Sequence, residues 1–407
     1  WEEPRDWVRE GSTLGAFLRA ALGLFIVRRD GHKSVIAGYP WFLDWGRDTL
    51  IVARGILASG RVGVVKDILA EFGRFESGGR LPNIIHGEQV GNWDTVDAPL
   101  WYCRVVAEYA AHEGVKEALG IRCGRRSCGE VVASILRGYR DGTENGIFCD
   151  SRSGLVFSPP HFTWMDTNYP AGTPRRGYPV EIQVLWIAAL RFAAAHLDAS
   201  WGDLAARATA SFLRLYPKRE GGLSDCLFAD NPTVGAEDAL PDDSVRPNQL
   251  FAVTLGLLDD HPDLARGVLA ATEPLLLPGA IRSLADAPVR VPLPIWRDGR
   301  LLNDPHNPYW PYYSGDEDTR RKPAYHNGTG WGWVFPQWPE ALARVDPSAK
   351  PFARAILASC LRLLRHDCVC HLAENTDGAA PHWPKGCGAQ AWSDSEHLRV
   401  WLALGGD

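Results

Sequence analysis

Of the 407 residues only one is methionine, Met165. A chain that starts without an initiator is expected to be processed or to be part of something longer. Long apolar runs are missing too. The nearest, "LRAALGLFIV", is interrupted by Arg19 and followed by Arg28 and Arg29, so it falls short of a bilayer span. Nor does the start carry a signal-peptide pattern, and no membrane association is expected. Basic charge is not in excess. The formal net charge is -6 with Lys and Arg scattered, which lacks the electrostatic footprint that nucleic acid or an anionic membrane requires. Nine cysteines are too sparse, and odd in number, for a disulfide framework. They fit reduced thiols in a cytosol, and a cytoplasmic protein is expected. "HDCVCH", His366 to His371, lacks the partner pair of a zinc site, as do Cys123 and Cys128. Neither a metal nor another cofactor is therefore expected. Strand-like alternation is scarce, "APVRVPLPIW" (287–296) being the best candidate. No fixed repeat is visible, which argues against a regular solenoid.

What is present is helical periodicity, almost end to end. Leu14, Phe17, Leu18, Ala21, Leu22 and Phe25 form one apolar stripe; Val65, Ile68, Leu69 and Phe72 form another. Further stripes run through Ile182, Leu185, Trp186 and Ala189, through Leu204, Ala208 and Phe212, and through Phe352, Ile356 and Leu364. With 45% hydrophobic and 23% charged residues, the chain has the composition of an ordinary globular protein. The fold class expected is all-α. Short connections such as "ASGR" alternate with long ones rich in Trp, Gly, Pro, Asp and Asn, and long loops inside a compact domain are usually functional. Helical hairpins with every rich loop at one end would make an α/α toroid around a single cavity. Residues 1–407 are then one domain.

The seventeen tryptophans are the anomaly, because many stand beside Asp, Asn, Gly and Pro rather than within apolar stripes. Such rings suit ligands with an apolar face and a hydroxylated rim, as sugars have. "AGYPWFLDWGRDTLIVARGIL" brings Trp41, Asp44, Trp45, Arg47 and Asp48 ahead of a helix expected from Thr49. Its plainer explanation is capping by Asp48 and an Asp44–Arg47 pair. "LPNIIHGEQVGNWDTVDAPLWY" places Asp97 where it would cap the helix through Trp101.

"FTWMD" has the most suggestive chemistry. Packed against Trp164 and Met165, the carboxyl of Asp166 would be partly desolvated and held protonated, as a general acid must be. A structural salt bridge to Arg175 or Arg176 is the alternative. Glu181 opens an apolar helix whose positive end favours its ionised form, so with Arg175 it reads as a substrate or loop anchor. "RKPAYHNGTGWGW" supplies His326 and Asn327, both able to bind hydroxyls. In the tail, Glu374, Asp377 and Glu396 compete as a second carboxylate, ahead of Gln390 and Trp392 at the opening of the last helix. Asp377 has the look of a turn residue and Glu396 that of a solvated helix position, which leaves Glu374.

Taken in order, "AGYPWFLDWGRDTLI", "LPN…DTVDAPLWY", "TWMD", "TPRRGYPVEIQVLW", "RPNQLFAVTL", "YHNGTGWGW" and "GCGAQAWSDSE" resemble the amylo-α-1,6-glucosidase family, the glucosidase part of glycogen debranching enzymes. The resemblance implies an (α/α)6 toroid and metal-free, single-displacement hydrolysis with inversion. Its substrate would be a branched α-glucan that loses α-1,6-linked glucose. It places the acid at Asp166 and the base at Glu374, with Trp45, Arg47 and Asp48 holding the terminal glucose. It also implies a β-rich domain upstream, as in bacterial members; the eukaryotic transferase domain has no counterpart in these residues. The tail "AENTDGAAPHWPKG" departs from the usual family pattern. Two other expectations remain: a glucoamylase-like or trehalase-like exo-hydrolase of the same fold, and a glycan-binding protein without turnover.

Overall fold

The computed structural model describes residues 13–29, 31–86, 89–167, 173–368 and 370–407. Fourteen α-helices lie among them. They are α1 (Leu14–Gly23), α2 (Gly46–Ala58), α3 (Val62–Phe75), α4 (Ala98–Glu113), α5 (Val115–Gly120), α6 (Cys128–Asp141) and α7 (Val180–His196). Then come α8 (Trp201–Leu215), α9 (Leu250–Thr254), α10 (Pro262–Thr272), α11 (Lys322–Tyr325), α12 (Gln337–Val345), α13 (Lys350–Leu357) and α14 (Ala391–Ala403).

The helices are of two kinds, and burial explains where each sits. One kind is amphipathic. In α6 the apolar stripe of Val131, Val132, Ile135, Leu136 and Tyr139 is buried, and a capping box between Ser127 and Glu130 starts the helix by satisfying its free amides. The other kind is enclosed on every side. In α2 each residue from Gly46 to Leu57 is buried, and in α14 each from Ala391 to Leu398. A helix covered all round must have protein on both flanks.

Neighbour relations give the same division. α2 packs on α4, α4 on α7, α7 on α9, α9 on α12, α12 on α14, and α14 returns to α2. Around this closed circuit α3 packs on α2, α6 on α4, α8 on α7, α10 on α9, α13 on α12 and α1 on α14. The join between α2 and α14 is tight because Gly55 has no side chain: a Cβ there would stand 2.5 Å from the carbonyl oxygen of Ser395. Ser395 donates to the carbonyl of Val52 at 2.9 Å across the join. Deeper in the ring Glu396 binds Arg54, Arg399 and Gln337 at 3.1, 2.8 and 2.8 Å, tying α2, α12 and α14 together. Glu396 is thus a buried structural carboxylate rather than a solvated one.

Strands are two to four residues long and lie in the connections. Gly38–Tyr39 pairs with Ala389–Gln390, fixing the loop before α2 to the loop before α14. The expected strand at 287–296 does not form except at Trp296, which pairs with Leu301. Pro288, Pro292 and Pro294 lack the amide protons a ladder needs. Two apolar residues assigned to stripes, Phe17 and Phe352, are exposed by 43% and 62%. α2 begins at Gly46, three residues before the expected start.

Candidate active site

The loops that precede the circuit helices meet at one end. There Phe42, Trp45, Arg47, Asp48, Trp164, Asp166, Tyr325, Trp331, Glu374, Gln390 and Trp392 line a cavity of about 80 Å³. Three carboxyl groups and six aromatic side chains around so small a space form a polar floor inside an apolar wall. The wall is stiff. Trp164 meets Trp331 and Trp333 edge-on at 5.0 and 5.2 Å, and Trp333 stacks on Trp392 at 4.9 Å. The indole nitrogen of Trp164 is anchored by Asn248 Oδ1 at 2.7 Å.

Arg47, in the first turn of α2, organises one side. Its Nε donates to Asp97 at 2.7 Å and its Nη1 to Asp166 at 2.8 Å. Nη2 is buried with no hydrogen-bond partner among the described residues, a donor available to a ligand. Asp97 also accepts from Thr95 Oγ1 at 2.7 Å. Burial raises the pKa of Asp166 above the usual carboxylate value while Arg47 opposes the rise. With 34% of its side chain exposed, Asp166 remains within reach of a ligand. Asp48 is pushed up to about 7 by burial, against Arg47 and with the help of Asp166 and Glu374, and accepts from Gln390 Nε2 at 3.2 Å.

Glu374 faces the same space, without an ion-pair partner among the described residues. Burial pushes it up to about 7, and hydrogen bonds from Tyr325 and the Cys387 amide pull it back. Tyr325 Oη donates to Oε1, and the Cys387 amide donates to Oε2 at 3.0 Å. The chain passes this close because residue 386 is glycine: its φ is +70°, and a Cβ there would lie 2.2 Å from Glu374 Oε2.

Of the residues singled out in the sequence, Trp45, Arg47, Asp48, Trp164, Asp166, Glu374, Gln390 and Trp392 are brought together here. The others are elsewhere. Trp41 is 58% exposed outside the cavity wall, edge-on to Phe42 at 6.3 Å. Asp44 is buried with Ser34 and Thr49 rather than paired with Arg47. Asp97 lies behind Arg47 and makes no capping bond. Asp48 lies inside the first turn of α2, where Trp45 occupies the cap position.

Arg175 and Glu181 are not at the carboxylate cavity. They form a buried bidentate pair at 2.5 and 2.6 Å, continued to Asp225 at 2.7 Å, because neither charge could be buried alone. Asp225 accepts from Asn248, so this network braces the loop of Trp164 from behind. The salt bridge of Asp166 is accordingly with Arg47, since Arg175 is engaged and Arg176 donates to the Asp230 carbonyl. His326 stacks on Trp331 at 5.0 Å, and burial holds its pKa well below the ordinary value. Asn327 accepts from Arg246 at 2.9 Å and donates to the Pro323 carbonyl at 3.1 Å. Asp377 accepts from the Tyr313 amide at 2.8 Å.

Phe42, Tyr325 and Trp331 line the cavity but were not singled out. Tyr325 directly precedes His326 in a stretch already notable for its rings, and that adjacency was the available signal. Among the described residues no group of three or more His, Cys, Asp or Glu side chains could hold a metal ion. Within "HDCVCH", His371 pairs with Asp394 at 2.8 Å, His366 lies edge-on to Trp383, and Val369 lies outside the described residues. No helix among the described residues is long and apolar enough to cross a membrane.

The family model described as Amylo-alpha-1,6-glucosidase matches residues 20–292 and 299–399. The chain belongs to that family. It is similar to the glycogen debranching enzyme of Saccharomyces cerevisiae, 24% identical over 402 aligned positions that cover 76% of this chain and 25% of the relative; the aligned region is thus about a quarter of that relative's length. A solved glycosidase superposes with a TM-score of 0.63 at 15% identity, covering 100% of this chain and 99% of its own. An uncharacterised conserved protein from Thermus thermophilus gives 0.62 at 14% identity over 96% and 100%. These structures share the fold, and family membership makes the chain a glycosidase.

Proposed function

We propose that this chain is an inverting glycoside hydrolase that releases α-1,6-linked glucose from a branched α-glucan, built as a single (α/α)6 toroid. The observation that carries the reading is that Asp166 and Glu374 face one aromatic-walled cavity, one beside a cation and the other without one. The closed circuit of six helices with an outer partner for each supports the toroid.

In this reading Asp166 gives its proton to the bridging oxygen, and burial favours the protonated form that the step needs. Arg47 stays neutralised by Asp97 while Asp166 is uncharged. As the proton leaves, the new carboxylate gains Arg47 at hydrogen-bonding distance, which stabilises the charge where it develops. Glu374 takes a proton from water on the opposite face of the sugar ring. A base near 7 is well matched to neutral pH. Inversion calls for carboxyl groups about 6.5 to 9.5 Å apart, leaving room for that water. Arg47 Nη2, Asp48 and Gln390 are the groups for the glucose hydroxyls, and Trp45 and Trp392 for its apolar face. The balance of atoms needs only substrate, water and the two carboxyl groups. Nine free thiols fit a reducing, cytoplasmic setting.

The test compares glucose release from a branched limit dextrin, maltose and trehalose. Preference for the dextrin supports debranching. Preference for maltose or trehalose would instead identify a glucoamylase-like or trehalase-like enzyme, and binding without turnover a glycan-binding protein.

A further inference from the structure

We propose that Tyr325 is the positioning residue of the base, its hydroxyl holding the Glu374 carboxylate in its reactive orientation and keeping it ionised for the attack on water. This rests on the reading of Glu374 as the base and adds a residue to it.

The geometry makes Tyr325 a fixed donor. It closes α11, and its carbonyl accepts from Thr329 Oγ1 at 2.6 Å and from the Trp331 indole at 2.9 Å, so the backbone cannot swing. Its ring is held among Tyr313, His326 and Trp331 at 5.3, 4.6 and 4.9 Å. Held in this way, the ring directs Oη at Glu374 Oε1. Burial and the neighbouring Glu374 charge hold the phenol far above its ordinary pKa, so at working pH it donates and never carries charge.

Glu374 needs such a donor. A buried carboxylate without a cation tends to take up a proton, and a protonated base cannot activate water. The hydrogen bonds from Tyr325 and the Cys387 amide favour the ionised form against that tendency. Each occupies one oxygen and leaves a second lone pair free, so the proton drawn from water has a defined place to go. Removing the phenol oxygen therefore has two consequences: the carboxylate protonates at higher pH, and it gains freedom to rotate away from the water.

The experiment is Tyr325→Phe, with pH profiles of kcat/KM on a branched limit dextrin and on α-glucosyl fluoride, a substrate whose leaving group needs little acid assistance. Phenylalanine keeps the ring contacts. The acid limb should move up by about one pH unit on both substrates, the order of effect expected for a hydrogen bond to a charged acceptor. kcat at the optimum should fall about 10- to 100-fold on both, with the basic limb unmoved. A uniform loss with an unmoved acid limb would assign Tyr325 a purely structural role, and movement of the basic limb would tie it to the acid; either overturns the proposal.

Glu374→Gln, assayed alongside, separates the two levels. If it stays active, the base assignment itself fails. If it is inactive while the Tyr325→Phe limb does not move, only the role of Tyr325 fails. Should Tyr325→Phe be too slow to assay, carbon-13 NMR of the labelled Glu374 carboxyl, identified by its loss in Glu374→Gln, reads the titration directly. A midpoint raised by the substitution supports the proposal, and an unchanged midpoint overturns it.

Discussion

Replacing Asp166 with Asn removes the proton and little else. The amide can still accept from Arg47 Nη1, now 2.8 Å from Asp166, and Arg47 keeps its ion pair with Asp97. No buried cation is orphaned and the contact is kept, so the stability cost should be about 1–2 kcal/mol, less than the full loss of a hydrogen bond to a charged group. At roughly 2.1 cal/mol/K of unfolding entropy per residue, a chain of this size would lose only about 1–2 °C of Tm. Hydrolysis of a branched glucan should fall about 10² to 10⁴-fold, the usual contribution of a general acid. That is about 2.7–5.4 kcal/mol of barrier. α-Glucosyl fluoride, whose leaving group departs with little protonation, should lose far less. The assay is initial-rate glucose release from both substrates, with a melting curve of each protein. Equal losses on the two substrates, together with a Tm drop well beyond the expected value, would refute the reasoning and make Asp166 a structural ion-pair partner of Arg47.

Glu374→Gln should abolish hydrolysis of dextrin and fluoride alike while leaving glucose binding, measured by calorimetry, within a few-fold. Asp48 and Glu374 bind protons more tightly in the fold, near 7, than at their ordinary 3.8 and 4.5. Their protonation stabilises the protein fully below about 4 and is lost as pH rises through about 7. Tm should accordingly fall between pH 5 and 8, and Glu374→Gln should reduce that fall; an unchanged fall counts against the burial of this carboxyl. Gly386→Ala, forced to a φ of +70° with its Cβ 2.2 Å from Glu374 Oε2, should cut activity at least tenfold, read as kcat. Glu396→Gln should lower stability by on the order of 3 kcal/mol in denaturant titration without changing the dextrin-to-fluoride ratio. EDTA should leave activity intact.

Much of the helical part was legible because burial writes itself into spacing. Leu18, Ile68, Leu136 and Phe212 stand at helical intervals and all are fully buried. The division into circuit and outer helices is also hinted at in the sequence, α7 carrying only one charged residue, Glu181, between Val180 and Leu190. Asp166 was legible from its neighbours, since Trp164 and Met165 announce desolvation locally. Its partner was not: Arg47 lies 119 positions away, and the nearby Arg175 is drawn off by Glu181 and Asp225. The same holds for Arg175 and Glu181, which satisfy each other, and for Asn327, which is taken up by Arg246 and the Pro323 carbonyl. Nothing local separates a polar side chain that meets a ligand from one that braces the residue in front of it. Tyr325 was overlooked because its meaning comes from Glu374, 49 positions later.

The central claim is that two carboxyl groups invert the anomeric centre in a single displacement. Proton NMR of the first glucose released from a branched α-glucan, recorded before mutarotation, tests it most directly. β-Glucose is predicted, with the β-anomeric signal appearing first and the α signal growing only at the mutarotation rate. Initial release of α-glucose would contradict the account, because retention needs a covalent intermediate on one of these carboxylates rather than a base and a water.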